Sequence, residues 1–374
     1  GATYLPLKFK IGIAVPPEND VDIFAQDLGF IAIVDHDLVQ GYNVTVGGGL
    51  GMSHGEYQTF PRLGDVLGFC APEQVLAVAE AVVTAQRDFG DRTNRKHARL
   101  KYTIETLGLA RFGSEVAVRA GFALQTARPF QFTHTGDRSG WQNDGERLHY
   151  TVFVDSGRIH DVGERKLLRA LREVAEHALA EFHLTPNQNV VLANIAPAER
   201  EDLTAILARH GISESAVTPL RRLALACVGF PTCGLAMAES ERYLSDFIAR
   251  IEELLAREGL CDEPIVLRIT GCPNGCARPF LAEIALVGKA PGRYNLYLGA
   301  AFDGTRLNSP YRESLNEGEI LAALEPLFAR YARERESDER FGNFLVRAGV
   351  VAAISSGLDF AAVAQTQSAA RQVA

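Results

Sequence analysis
A chain of 374 residues is too long for one compact core, and two or three domains with large apolar interiors are expected. The formal net charge of -8 argues against general binding to nucleic acid or to an anionic membrane, because both draw on an excess of Lys and Arg, so any anion site is local. No apolar run reaches the roughly 18 residues of a membrane span and no charged-then-apolar leader opens the chain, which makes a cytoplasmic setting the default.

The chain opens GATYLPLKFK, without Met, which suggests a processed or truncated product. Lys8 and Lys10 are two apart and share one side if this segment is extended; alone, they read as an ordinary exposed strand face. Residues 72–88 are expected to form a core helix with Val75, Leu76, Ala79, Val82 and Val83 on one face and Pro72 in its first turn. DRTNRKHARLK (91–101) then places Arg92, Arg95, Lys96, Arg99 and Lys101 close together, which by itself describes a solvated basic helix end. Residues 150–154 alternate like a strand, 164–182 are amphipathic, and 189–195 are again strand-like, giving a β-α-β half unit. Residues 239–258 carry Leu244, Phe247, Ile248, Ile251, Leu254 and Leu255 on one stripe and stop at Gly259, a suitable helix terminator. Residues 264–270 read as a buried strand that runs into the turn GCPNGC (271–276).

The two ends of the chain resemble one another. GYNVTVGGGL (41–50) parallels RYNLYLGAAF (293–302), with IAIV (31–34) and IALV (284–287) before them and the helical stretches LAVAEAVVTAQRDFG (76–90) and ILAALEPLFARYARE (320–334) after them. This order points to duplication, with cysteines before the IALV strand of the second copy only. The expected class is α+β, built on a duplicated unit.

Four of the six cysteines form two close pairs, Cys227 with Cys233 and Cys272 with Cys276, on turns rich in Pro and Gly. In a reducing compartment such pairs read as metal ligands or redox groups. Zinc takes four thiolates, but its structural sites favour two-residue spacers in small Cys-rich modules. A 4Fe-4S cluster also takes four thiolates and tolerates varied spacing. Four unrelated core thiols remain the third reading. Cys70 and Cys261 are isolated and read as a small buried or loop thiol each.

ACVGFPTCGLAMAE (226–239), ITGCPNGCARPFLAE (269–283) and LVGKAPGRYNLYLG (286–299) resemble the siroheme-dependent sulfite and nitrite reductases, in particular the assimilatory sulfite reductase hemoprotein. YLPLKFK (4–10), VGGGL (46–50), AVAEAVVTAQRDFGDRTNRK (77–96) and TPNQN (185–189) fit the same pattern in the same order. The resemblance implies a nitrite/sulfite reductase domain at 1–132 without cluster ligands, a ferredoxin-like half domain at 133–216, and a second reductase domain at 217–374 bearing the site. It implies a 4Fe-4S cluster on Cys227, Cys233, Cys272 and Cys276, with Cys276 also bound to siroheme iron and Asn274 beside the heme face. Siroheme carries eight carboxylates, so at least two of Arg92, Arg95, Lys96, Arg99 and Lys101 are expected to grip them. Lys8 and Lys10 are the expected substrate-pocket pair, meeting the oxyanion and supplying protons. The implied activity is six-electron reduction of sulfite to sulfide in sulfate assimilation and cysteine biosynthesis. Electrons would come from a flavoprotein subunit (NADPH, FAD and FMN) or from ferredoxin. A siroheme nitrite reductase and a non-catalytic metal-binding fragment are the alternatives, the latter because the family carries a further N-terminal region.

Overall fold
The computed structural model describes residues 4–372 other than 57 and 214–216, without the side chains of 367–372. Its first sheet is built from β1 (Ile11–Ala14), β2 (Leu28–Asp35), β3 (Leu38–Val46) and β4 (Asp65–Cys70) in that order, β1–β2 parallel and the rest antiparallel. Helices α1 (Val75–Phe89), α2 (Leu100–Leu107) and α3 (Leu109–Ala120) cover one face through Leu28, Phe30, Val44 and Val46. The expected helix forms, but turned: Val78, Ala81, Val82 and Ala85 are buried, whereas Leu76 is 83% exposed. The helix proper starts at Val75 after a 3-10 turn at Pro72–Gln74, which rotates the stripe that meets the sheet.

A second sheet has β5 (Gly140–Asn143), β6 (Leu148–Val152), β7 (Glu181–Leu184) and β8 (Val190–Ile195) in the antiparallel order β7-β8-β6-β5. Helices α4 (Leu167–Glu176) and α5 (Arg200–Arg209) bury Leu167, Leu171, Leu203 and Leu207 with Leu192 and Val152. The amphipathic stretch at 164–182 is therefore a shorter helix followed by an edge strand, because the chain turns at Ala178, which adopts a positive φ of 51°.

The third sheet runs β9 (Leu225–Ala226), β10 (Leu267–Thr270), β11 (Ile284–Ala290), β12 (Arg293–Leu298) and β13 (Ser309–Leu315). Strands β10 and β11 are parallel, and β11–β12–β13 antiparallel. Helices α6 (Glu241–Arg257), α7 (Glu317–Glu334) and α8 (Phe341–Arg347) pack on one face, and the six residues of the α6 stripe are all buried as expected. The opposite face meets Ala25 and Leu50 of the first repeat. It also meets Phe360 of α9 (Gly357–Gln372), whose ring stands 5.2 Å from Phe280.

Topology and register establish the duplication. Tyr42 and Asn43 oppose Ala32 and Ile31, while Tyr294 and Asn295 oppose Gly288 and Val287. The equivalent of IALV (284–287) is thus LGFI (28–31), three residues earlier than the sequence match, because strand pairing sets the register and repeated Ile and Val do not. Ile11 pairs with Leu28 as Leu267 pairs with Ile284. Asp22 and Arg278 occupy equivalent left-handed positions before the 3-10 turns Ile23–Ala25 and Pro279–Leu281.

The repeats meet through that pair. Asp22 accepts from Arg268 Nη1 at 2.7 Å and from Arg278 Nε, and Arg278 Nη2 continues to Asn187 Oδ1 at 2.9 Å. Burial alone would push the Asp22 carboxyl up, but Arg268 and Arg278 outweigh it and hold it below the usual range. Asp22→Ala leaves the fully buried Arg268 without its counter-charge, and a loss of about 3–5 kcal/mol is expected in denaturant titration. A loss below about 1 kcal/mol would show that the pair is dispensable.

Glu283 is wholly buried, and its carboxylate accepts the N–H groups of Val266 and Gly342 at 2.9 and 2.8 Å. Burial raises its pKa from 4.5 to about 7 against these bonds. A folded pKa above the unfolded one stabilises at acid pH, and that contribution fades as pH climbs through 7. Stability is expected to fall by about 3 kcal/mol between pH 4.5 and pH 8 from this group, and Glu283→Gln should flatten that part of the profile.

A candidate four-thiol centre facing a lysine pair
Two loops laced by backbone bonds carry the cysteines. Cys227 follows β9, and its N–H donates to Ile269 at 3.2 Å; Glu241 N–H, opening α6, donates to the Cys227 carbonyl at 3.1 Å. The Gly271 carbonyl accepts from Met237 and Ala238 at 2.7 and 3.1 Å, while Gly271 N–H donates to Cys227 Sγ at 3.2 Å. A Cβ on Gly271 would stand 2.7 Å from the Ala238 carbonyl, so only glycine permits this approach. The loop at 47–52 closes on the same turn: Met52 N–H donates to Pro273 at 3.0 Å, and a Cβ on Gly51 would lie 3.1 Å from the Asn274 carbonyl.

The electrostatics of the turn follow from its burial and neighbours. Burial pushes Cys272 up, the Asn274 N–H opposes it, and Cys276, Cys227 and Cys233 add to the rise. Burial also raises Cys276, as do Cys227 and Cys233, while Lys8 and Lys10 pull it back. Cys272 is buried and Cys276 exposed, so the member of the turn on the lysine side is the open one. Among the described residues, no three His, Cys, Asp or Glu side chains are placed to hold a single metal ion. Four thiols on two adjoining loops are a donor set that fits a 4Fe-4S cluster. All six cysteines are free; Cys70 is buried, with its pKa raised to about 11, and Cys261 is exposed, each isolated from this group.

Lys8 and Lys10 are exposed, just before β1. Although Lys10 is exposed as a whole residue, its ammonium is partly buried, which lowers its pKa, as do Lys8, Arg99 and Arg278, and Asp27 opposes them. Asn274 is exposed at the tip of the turn. The basic stretch divides. Arg92 donates to the carbonyls of Arg87 and Tyr4, the latter at 2.8 Å, Lys96 pairs with Glu56, and Arg95 is exposed. Arg99 is held bidentately by Asp27, at 3.0 and 2.6 Å. Lys101 departs from the expected role. It is 1% exposed, and its ammonium donates to Gly49 at 3.0 Å, Gly51 at 2.8 Å and Phe60, so it secures the glycine loop and has no capacity left for an external carboxylate.

Sequence reading missed Arg278 and Asp27. Arg278 stands two residues after Cys276 and joins the turn to Asp22 and Asn187. Asp27 would have emerged from a correct repeat register, which sets it opposite Glu283, each an acid preceding an apolar strand.

Duplicated sheets flanking a half unit, with both cysteine pairs in one copy, define a chain of the nitrite and sulfite reductase class, and the comparisons agree. The family described as "Nitrite and sulphite reductase 4Fe-4S domain" matches residues 1–124, and "Nitrite/Sulfite reductase ferredoxin-like half domain" matches 142–210. The chain belongs to this family. It is 58% identical over 354 residues to the sulfite reductase (NADPH) hemoprotein beta-component of Myxococcus xanthus, covering 94% of this chain and 63% of that protein. The proteins of that name from Geobacillus kaustophilus and Bacillus subtilis are 54% and 51% identical over 362 residues, 96% of this chain and 63% of theirs. The solved structure of Mycobacterium tuberculosis NirA protein superposes with a TM-score of 0.76 at 26% identity, over 92% of this chain and 63% of that one. The chain thus spans 63% of the length of these curated relatives. Among the described residues no helix is long and apolar enough to cross a membrane.

Proposed function
We propose that this chain carries the reducing centre of a sulfite reductase hemoprotein: six-electron reduction of sulfite to sulfide at siroheme coupled to a 4Fe-4S cluster. The observation that carries the reading is the joining of the two cysteine loops, where Gly271 N–H donates to Cys227 Sγ at 3.2 Å and the Gly271 carbonyl accepts from Met237 and Ala238, with Cys276 the exposed thiol of the turn. Cys227, Cys233, Cys272 and Cys276 would hold the cluster, and Cys276 would be the ligand shared with siroheme, since it is the exposed member of its turn. Arg95, which is exposed, with Arg92, Lys96 and Arg99 from the same stretch, is the cationic surface we assign to heme carboxylates. The names of the relatives at 51–58% identity support sulfite over nitrite and an NADPH-linked flavoprotein donor over ferredoxin. We read 1–132 and 217–374 as the two reductase domains, 133–216 as the half domain, and the cytoplasm as the site of action, where free thiols persist.

When bound, the two groups supply single electrons and an iron atom on which the substrate stays. The protein's own work is electrostatic and protonic. Lys8 and Lys10 offset the charge of an incoming oxyanion. Removing three oxygens as water from sulfite consumes seven protons on the way to hydrosulfide, and Lys10, its pKa lowered by burial and by its cationic neighbours, is shifted towards donating them. The lacing of Gly271, Met52 and Pro273 keeps the turn fixed as charge builds.

The test is turnover with reduced methyl viologen on protein made with siroheme synthesis intact. Sulfite reduction faster than nitrite reduction is expected. Nitrite reduction alone would favour the nitrite reading, and neither activity in fully loaded protein would contradict both.

A further inference from the structure
We propose that Asp27 is a positioning residue of the anion site, fixing the Lys10 backbone and the Arg99 guanidinium in one geometry beside the Cys276 turn. The inference rests on the oxyanion chemistry proposed for that site. Asp27 is 0% exposed. It accepts Lys10 N–H at 2.9 Å through Oδ2, while Arg99 Nε and Nη2 donate at 3.0 and 2.6 Å. Leu28 N–H, the next along, closes on the Lys10 carbonyl at 3.1 Å.

The other repeat shows what such an acid does without an anion to meet. Glu283 accepts Val266 N–H at 2.9 Å, and Ile284 N–H donates to Val266 at 3.1 Å, reproducing the contacts between Asp27, Leu28 and Lys10. Its other oxygen takes a backbone donor, Gly342 N–H, in the first turn of α8. Both corresponding helices have an arginine N-cap, but Arg99 of α2 turns its guanidinium onto Asp27, whereas Arg340 of α8 lies over the Phe302 ring at 4.2 Å and acts on Glu283 through its charge alone. A purely structural acid is satisfied by the backbone donor. The direct bidentate pairing of guanidinium and acid is what the first repeat adds, in the copy that carries Lys8 and Lys10. A Cβ on Gly49 would stand 3.3 Å from Arg99 Nη2, so the guanidinium lies against the same glycine loop that Met52 ties to Pro273. One carboxylate therefore links the lysine segment, the arginine and the loop on the cysteine turn.

The groups facing the Lys10 ammonium are Lys8, Arg99, Arg278 and Asp27, and only Asp27 favours its charged form. In Asp27→Asn, more neutral amine is present at pH 8, and reductive methylation by formaldehyde, followed by mass spectrometry, should proceed about threefold faster at Lys10 with Lys289 unchanged. Asp27→Glu, which carries the acid of the second repeat, should restore the original rate. In siroheme-loaded protein the dissociation constant for sulfite, read from the heme bands, should rise about tenfold in Asp27→Asn. The labelling needs no bound group, so its failure is separable from failure of the functional reading. An unchanged Lys10 rate, or equal acceleration at Lys10 and Lys289, overturns the inference. Should Asp27→Asn not fold, Arg99→Gln, which removes a positive neighbour, must slow Lys10 labelling; an unchanged or faster rate overturns it equally.

Discussion
Cys276→Ser is expected to abolish both cofactors' signatures together and to lower sulfite reduction more than about 100-fold, beyond the range seen when only an outer-shell partner of a metal site is lost. A serine hydroxyl is a far poorer iron ligand than a thiolate, and Cys276 is the open thiol of the turn, on the side facing Lys8 and Lys10. Cys272→Ser provides the contrast. Cys272 is buried on the inner side, so its replacement should remove the cluster while the Cys276 thiol stays reactive towards alkylating agents. Absorption spectra and iron assays on both variants check this. Retention of the heme bands in Cys276→Ser would remove its role as shared ligand.

Lys8→Met and Lys10→Met are expected to cut sulfite turnover by about 10²–10⁴-fold, the range of a lost proton donor, with the cofactor spectra intact. Methionine keeps the length and apolar stem while removing charge and proton. Both residues are exposed overall and neither lies in a strand, so little folding energy depends on them, although the Lys10 ammonium itself is partly buried. Lys10 should show the larger effect on the alkaline limb of the pH profile, because burial and Lys8, Arg99 and Arg278 lower its pKa. Activity carried by the protonated amine is present at lower pH and fades as pH rises through that lowered value. Loss of heme in both variants would instead assign them a structural role.

Much of the frame was readable because period and punctuation agree. The α6 stripe of Leu244, Phe247, Ile248, Ile251, Leu254 and Leu255 is sustained over the whole helix and is followed by Gly259, so position and burial both emerge. The α1 face did not, because a run dense in Ala and Val leaves the stripe's phase undetermined until the sheet chooses it. The helix expected at 164–182 hid an edge strand, since the exposed residues of Glu181–Leu184 carry no alternation of burial. Of the site, the cysteines and the lysine pair were legible as motifs. The partners of Arg99 and Lys101 were not, because Asp27, Gly49 and Gly51 lie far from them in sequence and meet them only through the sheet and its glycine loop. The repeat was visible in its Tyr-Asn signature, but its register was fixed by pairing, and only that register exposes Asp27 and Glu283 as counterparts.

The central claim is that four thiols from two loops form one cluster site whose exposed member is shared with siroheme. The most direct measurement is the absorption spectrum together with iron, zinc and acid-labile sulfide assays on protein made with siroheme synthesis intact. Heme bands with iron and labile sulfide in the proportion of one 4Fe-4S cluster and one siroheme are the expected result. A zinc-loaded product free of iron and labile sulfide would contradict it.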